Sequence, residues 1–121
     1  MPRLITFFTA LWLVLPSATA AVDLVMVERQ GCHYCIEWKT KLGPIYPNTE
    51  AGKFAPLRII DIADPQPADL TFKGRVVYTP TFIVIDQGQE IGRIEGYPGE
   101  DFFWPLLEKL LQNTTNFQVG G

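Results

Sequence analysis

The first twenty residues have a hydrophobic pattern that differs from the rest of the chain. A basic start precedes residues 4–15, which are apolar apart from two threonines, and a small-x-small pattern ends at Ala20. This arrangement is typical of a secretory signal peptide. It predicts a cleaved signal peptide over residues 1–20 and one folded domain over residues 21–121. The alternative is an uncleaved membrane anchor, since residues 4–22 are just long enough to span a bilayer.

Beyond this segment, four apolar runs predict β-strands. Residues 23–29 and 57–62 are short and rich in Val, Leu and Ile, as buried strands are. Residues 81–85 and 90–95 are similar runs, and the four residues between them include a glycine that can adopt a positive φ. The second pair of runs therefore predicts a β-hairpin.

Two shorter segments carry helical signals. In residues 32–42 apolar positions recur at helical spacing until Gly43, so a helix is expected to begin at Cys32. After a proline-rich loop, residues 68–73 are expected to form a short helix. The first of these helices would follow the first predicted strand, and the second would follow the second predicted strand.

The last predicted element is an amphipathic helix over residues 100–111, with two acids in its first turn. Pro105 falls inside this pattern, where a proline removes one backbone hydrogen bond and clashes with the preceding turn. The sequence therefore predicts either a kink at Pro105 or a fresh helix start near Trp104.

Charge and size argue against a nucleic-acid-binding protein and against a second domain. The chain has 10 Lys and Arg residues and 13 Asp and Glu residues, a formal net charge of −3. Removal of the predicted signal peptide takes away Arg3 and no acid, which leaves −4. The basic residues are few and scattered, so no nucleic-acid partner is expected. About 100 residues remain for one compact domain, and a monomer is expected.

Both cysteines of the chain lie in one motif, Cys32-His33-Tyr34-Cys35. Two thiols at this spacing at the start of a helix can close a small disulfide ring, which thiol exchange can open again. The motif therefore indicates a redox-active disulfide in an exported protein, where oxidising conditions allow disulfides to form. A C-x-x-C pair also occurs as half of a zinc site. The alternative to an enzyme is a binding module in which the disulfide is only structural.

Metal and haem binding are not expected. A structural zinc site needs four ligands, and Cys32, His33 and Cys35 supply at most three, because His33 is the only histidine. Covalent haem attachment needs a histidine directly after the second cysteine, where the chain has Ile36. After the signal peptide the chain has one methionine, Met26, which is too few for a copper chaperone. We therefore predict no metal and no cofactor.

The order of predicted elements resembles the thioredoxin fold, an α/β fold with a central mixed four-stranded sheet flanked by helices. Two marks carry the resemblance, the C-x-x-C after the first strand and Thr79-Pro80-Thr81 before the third. In this family the proline is cis and faces the dithiol, and an extended substrate pairs with the chain there. The resemblance therefore implies that Thr79 and Pro80 bind substrate. An ordinary trans proline that opens an edge strand is the alternative.

Five segments are similar to the small periplasmic thioredoxins of bacterial sulfur-oxidation (Sox) operons, the SoxS-type thioredoxins. They are residues 31–35, 43–47, 55–58, 79–82 and 92–104. This resemblance implies a periplasmic thiol reductant that maintains an exposed cysteine on the sulfur-carrier complex of the Sox pathway. It also implies a membrane thiol transporter as the electron donor. A general periplasmic disulfide oxidase or isomerase is the alternative within the same fold.

Position on the predicted helix suggests a role for each residue of the motif. Cys32 lies nearest the helix N-terminus, which favours a thiolate, so we predict that Cys32 is the nucleophile and Cys35 the resolving thiol. A protonated His33 would lower the pKa of Cys32 and make the disulfide more oxidising, and a solvated loop residue without this effect is the alternative. Tyr34 is expected to contact the protein substrate, with a packing role as the alternative.

One expected part of a thioredoxin site is missing from the sequence. The thioredoxins proper have an aspartate six positions before the first cysteine that takes the proton of the second cysteine, and this chain has Met26 there. Glu28 and Glu37 are nearby carboxylates, but both are expected at the surface, so the sequence identifies no base. Tyr97 and Trp104 are expected to be aromatic residues of the core or its rim.

Overall fold

The structure is a computed structural model that describes residues 2–5, 7–14 and 21–120. The two N-terminal stretches have no regular secondary structure. Residues 15–20, which contain the predicted cleavage site, lie outside the described residues, so the signal peptide stays a prediction. None of the helices described is long and apolar enough to cross a membrane.

Within the described residues, four strands form one mixed sheet. They are β1 (Val22–Glu28), β2 (Leu57–Asp61), β3 (Thr81–Asp86) and β4 (Gln89–Glu95), and their order in the sheet is β2-β1-β3-β4. β1 is parallel to β2 and antiparallel to β3, which is antiparallel to β4. The four predicted strands and the mixed sheet are confirmed.

A tight turn joins β3 to β4, as predicted. Gln87 and Gly88 both have a positive φ, 52° and 78°, and positive φ at both central residues gives the turn a twist that matches the strands. A Cβ atom at Gly88 would also lie 2.6 Å from the carbonyl oxygen of Asp69. Both the backbone conformation and this close approach therefore require glycine at position 88.

Three α-helices and a short 3₁₀ helix accompany the sheet in the described part of the chain. They are α1 (His33–Lys41), α2 (Glu50–Phe54), α3 (Glu100–Thr114) and the 3₁₀ helix Tyr46–Asn48. The sequence does not predict α2, because five residues are too few to show a helical period. Thr49 caps this helix, since its hydroxyl accepts a hydrogen bond from the Gly52 N–H at 2.9 Å.

The helices pack on one face of the sheet. Because side chains alternate along a strand, Leu24 and Met26 of β1 point towards the helices, whereas Val25 and Val27 point to the opposite face. The main core cluster joins that first pair to buried residues in or directly after α1 and in α3, namely Cys35, Trp38, Leu42, Phe103, Leu107 and Leu111. The N-terminal half of α1 is therefore fixed against the centre of the sheet.

Residues 68–73 do not form the predicted helix. Thr71 instead pairs with the edge of the sheet: its N–H donates to the Gly88 carbonyl at 2.8 Å, and its carbonyl accepts the Glu90 N–H at 2.9 Å. The carboxylate of the buried Glu90 also accepts the Lys73 N–H at 3.3 Å. These backbone groups find partners at β4 and its turn, so tertiary contacts outweigh the local helical signal.

α3 continues without interruption through Pro105, so the predicted fresh start near Trp104 is wrong. Pro105 and Asp101, whose carbonyl would accept the missing hydrogen bond, are both exposed. Water can solvate that carbonyl, and the helix therefore tolerates the proline. The helix also extends beyond its predicted end, to Thr114.

Candidate active site

The two cysteines lie where β1 turns into α1. β1 ends at Glu28, and Gly31 supplies the positive φ of 75° in the connecting turn. Cys32 is the N-cap of α1, as predicted, and Cys35 lies in its first turn. The two residues form a disulfide with a Cα–Cα distance of 5.2 Å. The backbone N–H of Cys35 donates a hydrogen bond to the Cys32 sulfur over 3.2 Å.

The two cysteines differ in burial. Cys35 is 1% exposed and belongs to the main core cluster, whereas Cys32 is half-buried and packs against that cluster from outside. An incoming sulfur can therefore approach Cys32 more readily than Cys35. This asymmetry fits the predicted roles, in which Cys32 attacks and Cys35 resolves.

A row of charged side chains on α1 consists of His33, Glu37 and Lys41. The first turn has no acidic residue, so its free N–H groups act on Cys32 without a competing negative charge. The His33 side chain is 83% exposed, and its Nε2 lies 3.8 Å from the Glu37 carboxylate one turn later. The hydrogen bond from Lys41, with a smaller contribution from His33, holds the pKa of Glu37 below its usual value. The effect of His33 on Cys32 stays a prediction.

The Thr79–Pro80 peptide bond is cis, and Pro80 is buried. The next residue, Thr81, begins β3 and pairs with Val27 near the end of β1. Pro80 therefore lies at the end of the sheet from which α1 starts. Its carbonyl accepts the Gly96 N–H at 2.8 Å, which brings the loop after β4 to the same end.

Exposed side chains border this end of the molecule. Tyr34 is more than half exposed, so the predicted contact with a protein partner is sterically open, and Thr79 is half-buried. Val77 and Tyr78, directly before the cis-proline, are exposed to a similar degree. Sequence reasoning did not assign them to the site, although an apolar pair next to Pro80 is a usable signal.

Glu28 does not lie at the open surface, where the sequence led us to expect it. Its side chain is 23% exposed, and its carboxylate lies 2.5 Å from the Lys39 ammonium. The alternation along β1 places Glu28 on the face that carries Leu24 and Met26, and this period of two is the signal that locates it. Met26, in the position of the aspartate of the thioredoxins proper, is fully buried.

The two aromatic residues expected in the core or at its rim are half-buried. Tyr97 and Trp104 both pack against the main core cluster. Trp104 stacks on Tyr46 with ring centroids 6.1 Å apart, and Tyr97 meets Phe103 edge-on at 6.2 Å. Among the described residues, no three His, Cys, Asp or Glu side chains are grouped as metal ligands would be.

The fold and the site together define a class of protein. A C-x-x-C disulfide at a helix N-terminus, on a mixed four-stranded sheet, is the architecture of the thioredoxin-fold thiol–disulfide oxidoreductases. The chain is 44% identical to the periplasmic thioredoxin SoxS from Paracoccus pantotrophus, whose crystal structure is of the reduced form. The match has a TM-score of 0.74 and covers 75% of this chain and 96% of that chain. The chain therefore belongs to the family of the SoxS periplasmic thioredoxins, as its sequence predicts.

Two more distant structures share the fold. Thioredoxin-2 of the malaria parasite protein secretion machinery is 19% identical, with a TM-score of 0.55 over 74% of this chain and 84% of that chain. A thioredoxin-fold protein from Helicobacter pylori is 20% identical, with a TM-score of 0.55 over 78% of this chain and 70% of that chain. No family model and no curated protein matches the chain.

Proposed function

We propose that the protein is a periplasmic thiol reductase that reduces a disulfide or a blocked cysteine on a sulfur-oxidation carrier protein. The observation that carries the proposal is the asymmetric dithiol, with Cys32 accessible at the helix N-terminus and Cys35 buried behind it. The 44% identity to a periplasmic thioredoxin SoxS supports the compartment and the pathway.

The reaction is a two-step thiol–disulfide exchange. The Cys32 thiolate attacks a substrate sulfur and forms a mixed disulfide, and the first leaving thiolate departs. Cys35 then attacks the Cys32 sulfur, which closes the intramolecular disulfide and releases the second substrate sulfur as a thiolate that takes up a proton. The substrate gains two electrons, and the protein becomes the oxidised form. A membrane thiol transporter is the proposed donor that returns two electrons to the Cys32–Cys35 pair.

The proposed substrate contacts are Tyr34, Thr79 and Pro80. The exposed ring of Tyr34 offers an apolar surface to a protein partner. The backbone at Thr79 and Pro80 is the proposed pairing edge for an extended substrate segment. Pro80 lies at the same end of the sheet as the start of α1, which supports this placement.

Insulin reduction in the presence of dithiothreitol tests the enzymatic proposal. The wild-type protein should accelerate precipitation of the insulin B chain, Cys32→Ser should abolish this acceleration, and Cys35→Ser should accumulate a mixed disulfide with insulin. Absence of acceleration by the wild-type protein would instead support a binding module with a structural disulfide.

The reduction potential tests the direction of electron flow. A value of about −200 mV or below, from equilibration with glutathione or dithiothreitol, supports a reductant. A reduction potential of about −120 mV would indicate a general disulfide oxidase and overturn the reductase assignment.

The compartment is tested separately. We propose that residues 1–20 are removed on export and that the domain over residues 21–121 acts in the periplasm. N-terminal sequencing of the exported protein should begin at Ala21. An intact N-terminus on a membrane-bound product would favour the uncleaved anchor.

A further inference from the structure

We propose that Glu28 accepts the proton that the Cys35 thiol must lose before it attacks Cys32, and that Lys39 holds the Glu28 carboxylate in position. This inference rests on the proposed oxidoreductase function and adds a proton-transfer group to it. Glu28 would be the base that the sequence does not identify, and Lys39 would be its positioning residue.

The buried location of Cys35 creates the need for such a group. Cys35 is 1% exposed and shares its cluster with apolar residues such as Met26, Trp38 and Phe82. The attacking species in exchange is the thiolate, and a thiol in apolar surroundings gives up its proton less readily. Bulk water has little access to this sulfur, so a nearby carboxylate would speed the step.

The strand brings Glu28 to the correct face and the correct end of the sheet. Side chains alternate along β1, so Glu28 follows Leu24 and Met26 on the face covered by α1. In the register of β1 with β3, the last pair is Val27 with Thr81. The next residues on each side of that pair are Glu28 and Pro80. Glu28 therefore lies at the end of the sheet that carries the dithiol and the cis-proline.

The helix brings Lys39 to the same place. Lys39 follows Cys35 by four residues, which places the two side chains on one side of α1, one turn apart. The Lys39 ammonium lies 2.5 Å from the Glu28 carboxylate. The side chains of Glu28 and Lys39 are 23% and 39% exposed, so a proton taken up by Glu28 can pass on to solvent.

The other charged groups near this position do not take the same role. Asp61 is the register partner of Glu28 in β2, and its carboxylate accepts the Ala63 N–H at 2.8 Å. Glu37 follows Cys35 by only two residues, which places it on the opposite side of α1. There it binds Lys41 and faces His33. Of the two carboxylates on this face, Glu28 is therefore the one that pairs with a residue of α1.

The Cys35 thiol transfers its proton to the Glu28 carboxylate, and the resulting thiolate attacks the Cys32 sulfur of the mixed disulfide. The Cys32–Cys35 bond forms while the bond between Cys32 and the substrate sulfur breaks. The electron pair leaves with the substrate thiolate, and Glu28 returns its proton to that thiolate or to water.

A two-phase release experiment isolates this step. One equivalent of dithiobis(nitrobenzoic acid) is mixed with the reduced protein lacking its signal peptide, and the release of nitrothiobenzoate is followed by absorbance. The first release reports attack by Cys32, and the second reports resolution by Cys35. Glu28→Gln should slow the second release by about tenfold or more near neutral pH and leave the first within twofold. At high pH hydroxide removes the proton of the Cys35 thiol, so the second release of Glu28→Gln should become as fast as that of the wild type.

Matched variants separate proton transfer from a structural role. Glu37→Gln removes the carboxylate of the Glu37–Lys41 pair and should leave the rate of the second release unchanged. Glu28→Asp keeps a carboxylate and should recover part of the rate that Glu28→Gln loses. A circular dichroism spectrum like that of the wild type shows that each variant is folded, which thiol release alone cannot show because unfolded chains also react. Should Glu28→Gln fail that check, Lys39→Met is compared instead, with a slower second release expected only near neutral pH.

The outcomes distinguish this inference from the proposed function. The role of Glu28 is overturned if Glu28→Gln releases the second equivalent at the wild-type rate. It is also overturned if the variant is slower than the wild type by the same factor at every pH. Either outcome leaves the proposed oxidoreductase function unaffected. If the wild-type protein releases no second equivalent and forms no Cys32–Cys35 disulfide, the proposed function itself fails.

Discussion

The backbone N–H of Cys35 donates a hydrogen bond to the Cys32 sulfur over 3.2 Å. The sulfur thus takes the position that a Ser or Asp oxygen usually takes at a helix N-cap. In the reduced protein the same donor and the positive end of the helix dipole would stabilise a Cys32 thiolate. α1 has no acidic residue in its first turn to oppose this effect.

A negative charge placed in that turn should raise the pKa of Cys32. Tyr34 is exposed and follows Cys32 by two residues, so Tyr34→Glu changes the charge with little effect on packing. We expect the pKa of the Cys32 thiol in the reduced protein to rise by roughly half a pH unit. Ultraviolet absorbance of the thiolate as a function of pH measures this value. Tyr34→Gln is the control, and equal pKa values in the two variants would contradict the electrostatic argument.

Removal of the histidine should make the disulfide less oxidising. If a protonated His33 favours the Cys32 thiolate, it stabilises the reduced form, so His33→Ala should lower the reduction potential by on the order of 10–20 mV. Equilibration with a glutathione series measures the change. An unchanged potential removes His33 from the site.

The hydroxyl of Tyr46 should stabilise the fold. Tyr46 is fully buried, and its hydroxyl donates to the Ala55 carbonyl at 2.7 Å, which joins the 3₁₀ helix to the end of α2. Tyr46→Phe leaves that carbonyl without its partner, so the free energy of unfolding should fall by about 1–3 kcal/mol. Urea unfolding measures the loss. Tyr34→Phe, at an exposed position, is the control and should leave stability unchanged.

The same hydroxyl should make the free energy of unfolding depend on pH in the alkaline range. Burial raises the pKa of Tyr46 well above its ordinary value. In the unfolded chain the group ionises near about pH 10, whereas in the folded protein it stays protonated, so unfolding releases a proton above that pH. The stabilisation that Tyr46 contributes is therefore complete below about pH 10 and is lost as the pH rises further. The difference in stability between wild type and Tyr46→Phe should shrink accordingly, and a constant difference from pH 8 to 11 would contradict this.

The Glu90–Arg93 pair should anchor the connection between β2 and β3. Glu90 is buried and bound by the Arg93 guanidinium, which also donates to the carbonyls of Gly74 and Arg75 at 3.0 and 3.2 Å. The hydrogen bond from Arg93 to Glu90 keeps the pKa of Arg93 above its usual value. Glu90→Ala should reduce the free energy of unfolding by about 1–3 kcal/mol, because it leaves a largely buried guanidinium without its carboxylate.

An exposed ion pair on the same connection provides the control for this prediction. Arg58 and Asp69 form a bidentate pair at 2.7 and 3.1 Å, but both side chains are open to solvent. Asp69→Ala should therefore cost much less stability than Glu90→Ala in the same urea titration. Equal losses in the two variants would show that burial of Glu90 does not determine its contribution.

Local signals in the sequence were sufficient for the elements that carry the dithiol. The apolar run of β1 and the helical spacing from Cys32 onward depend on neighbouring residues alone, and each matches the structure. The β3–β4 hairpin is similar, because Gly88 supplies the conformation that the turn needs. These features were predictable because their physical cause lies within a few residues of the chain.

Other features depend on partners that are distant in the chain. Residues 68–73 have a local helical signal, but Thr71 pairs with the edge of β4, and that pairing appears only once the sheet is assembled. Pro105 remains inside α3 because Asp101, whose carbonyl it leaves unpaired, is an exposed residue that water can reach. Both outcomes follow from where the segment lies in the folded molecule.

The sequence by itself determined a C-x-x-C disulfide at a helix N-terminus, the four strands and the SoxS-type thioredoxin family. Only the tertiary structure decided which residues share the apolar core with Cys35, among them Met26, Trp38 and Phe82. It also decided that Glu28 meets Lys39 on the Cys35 side of α1. The physical reason is the distance along the chain over which each feature forms. Caps and turns form between residues that are neighbours in the sequence, whereas burial and ion pairing form only when β1 and α1 pack together.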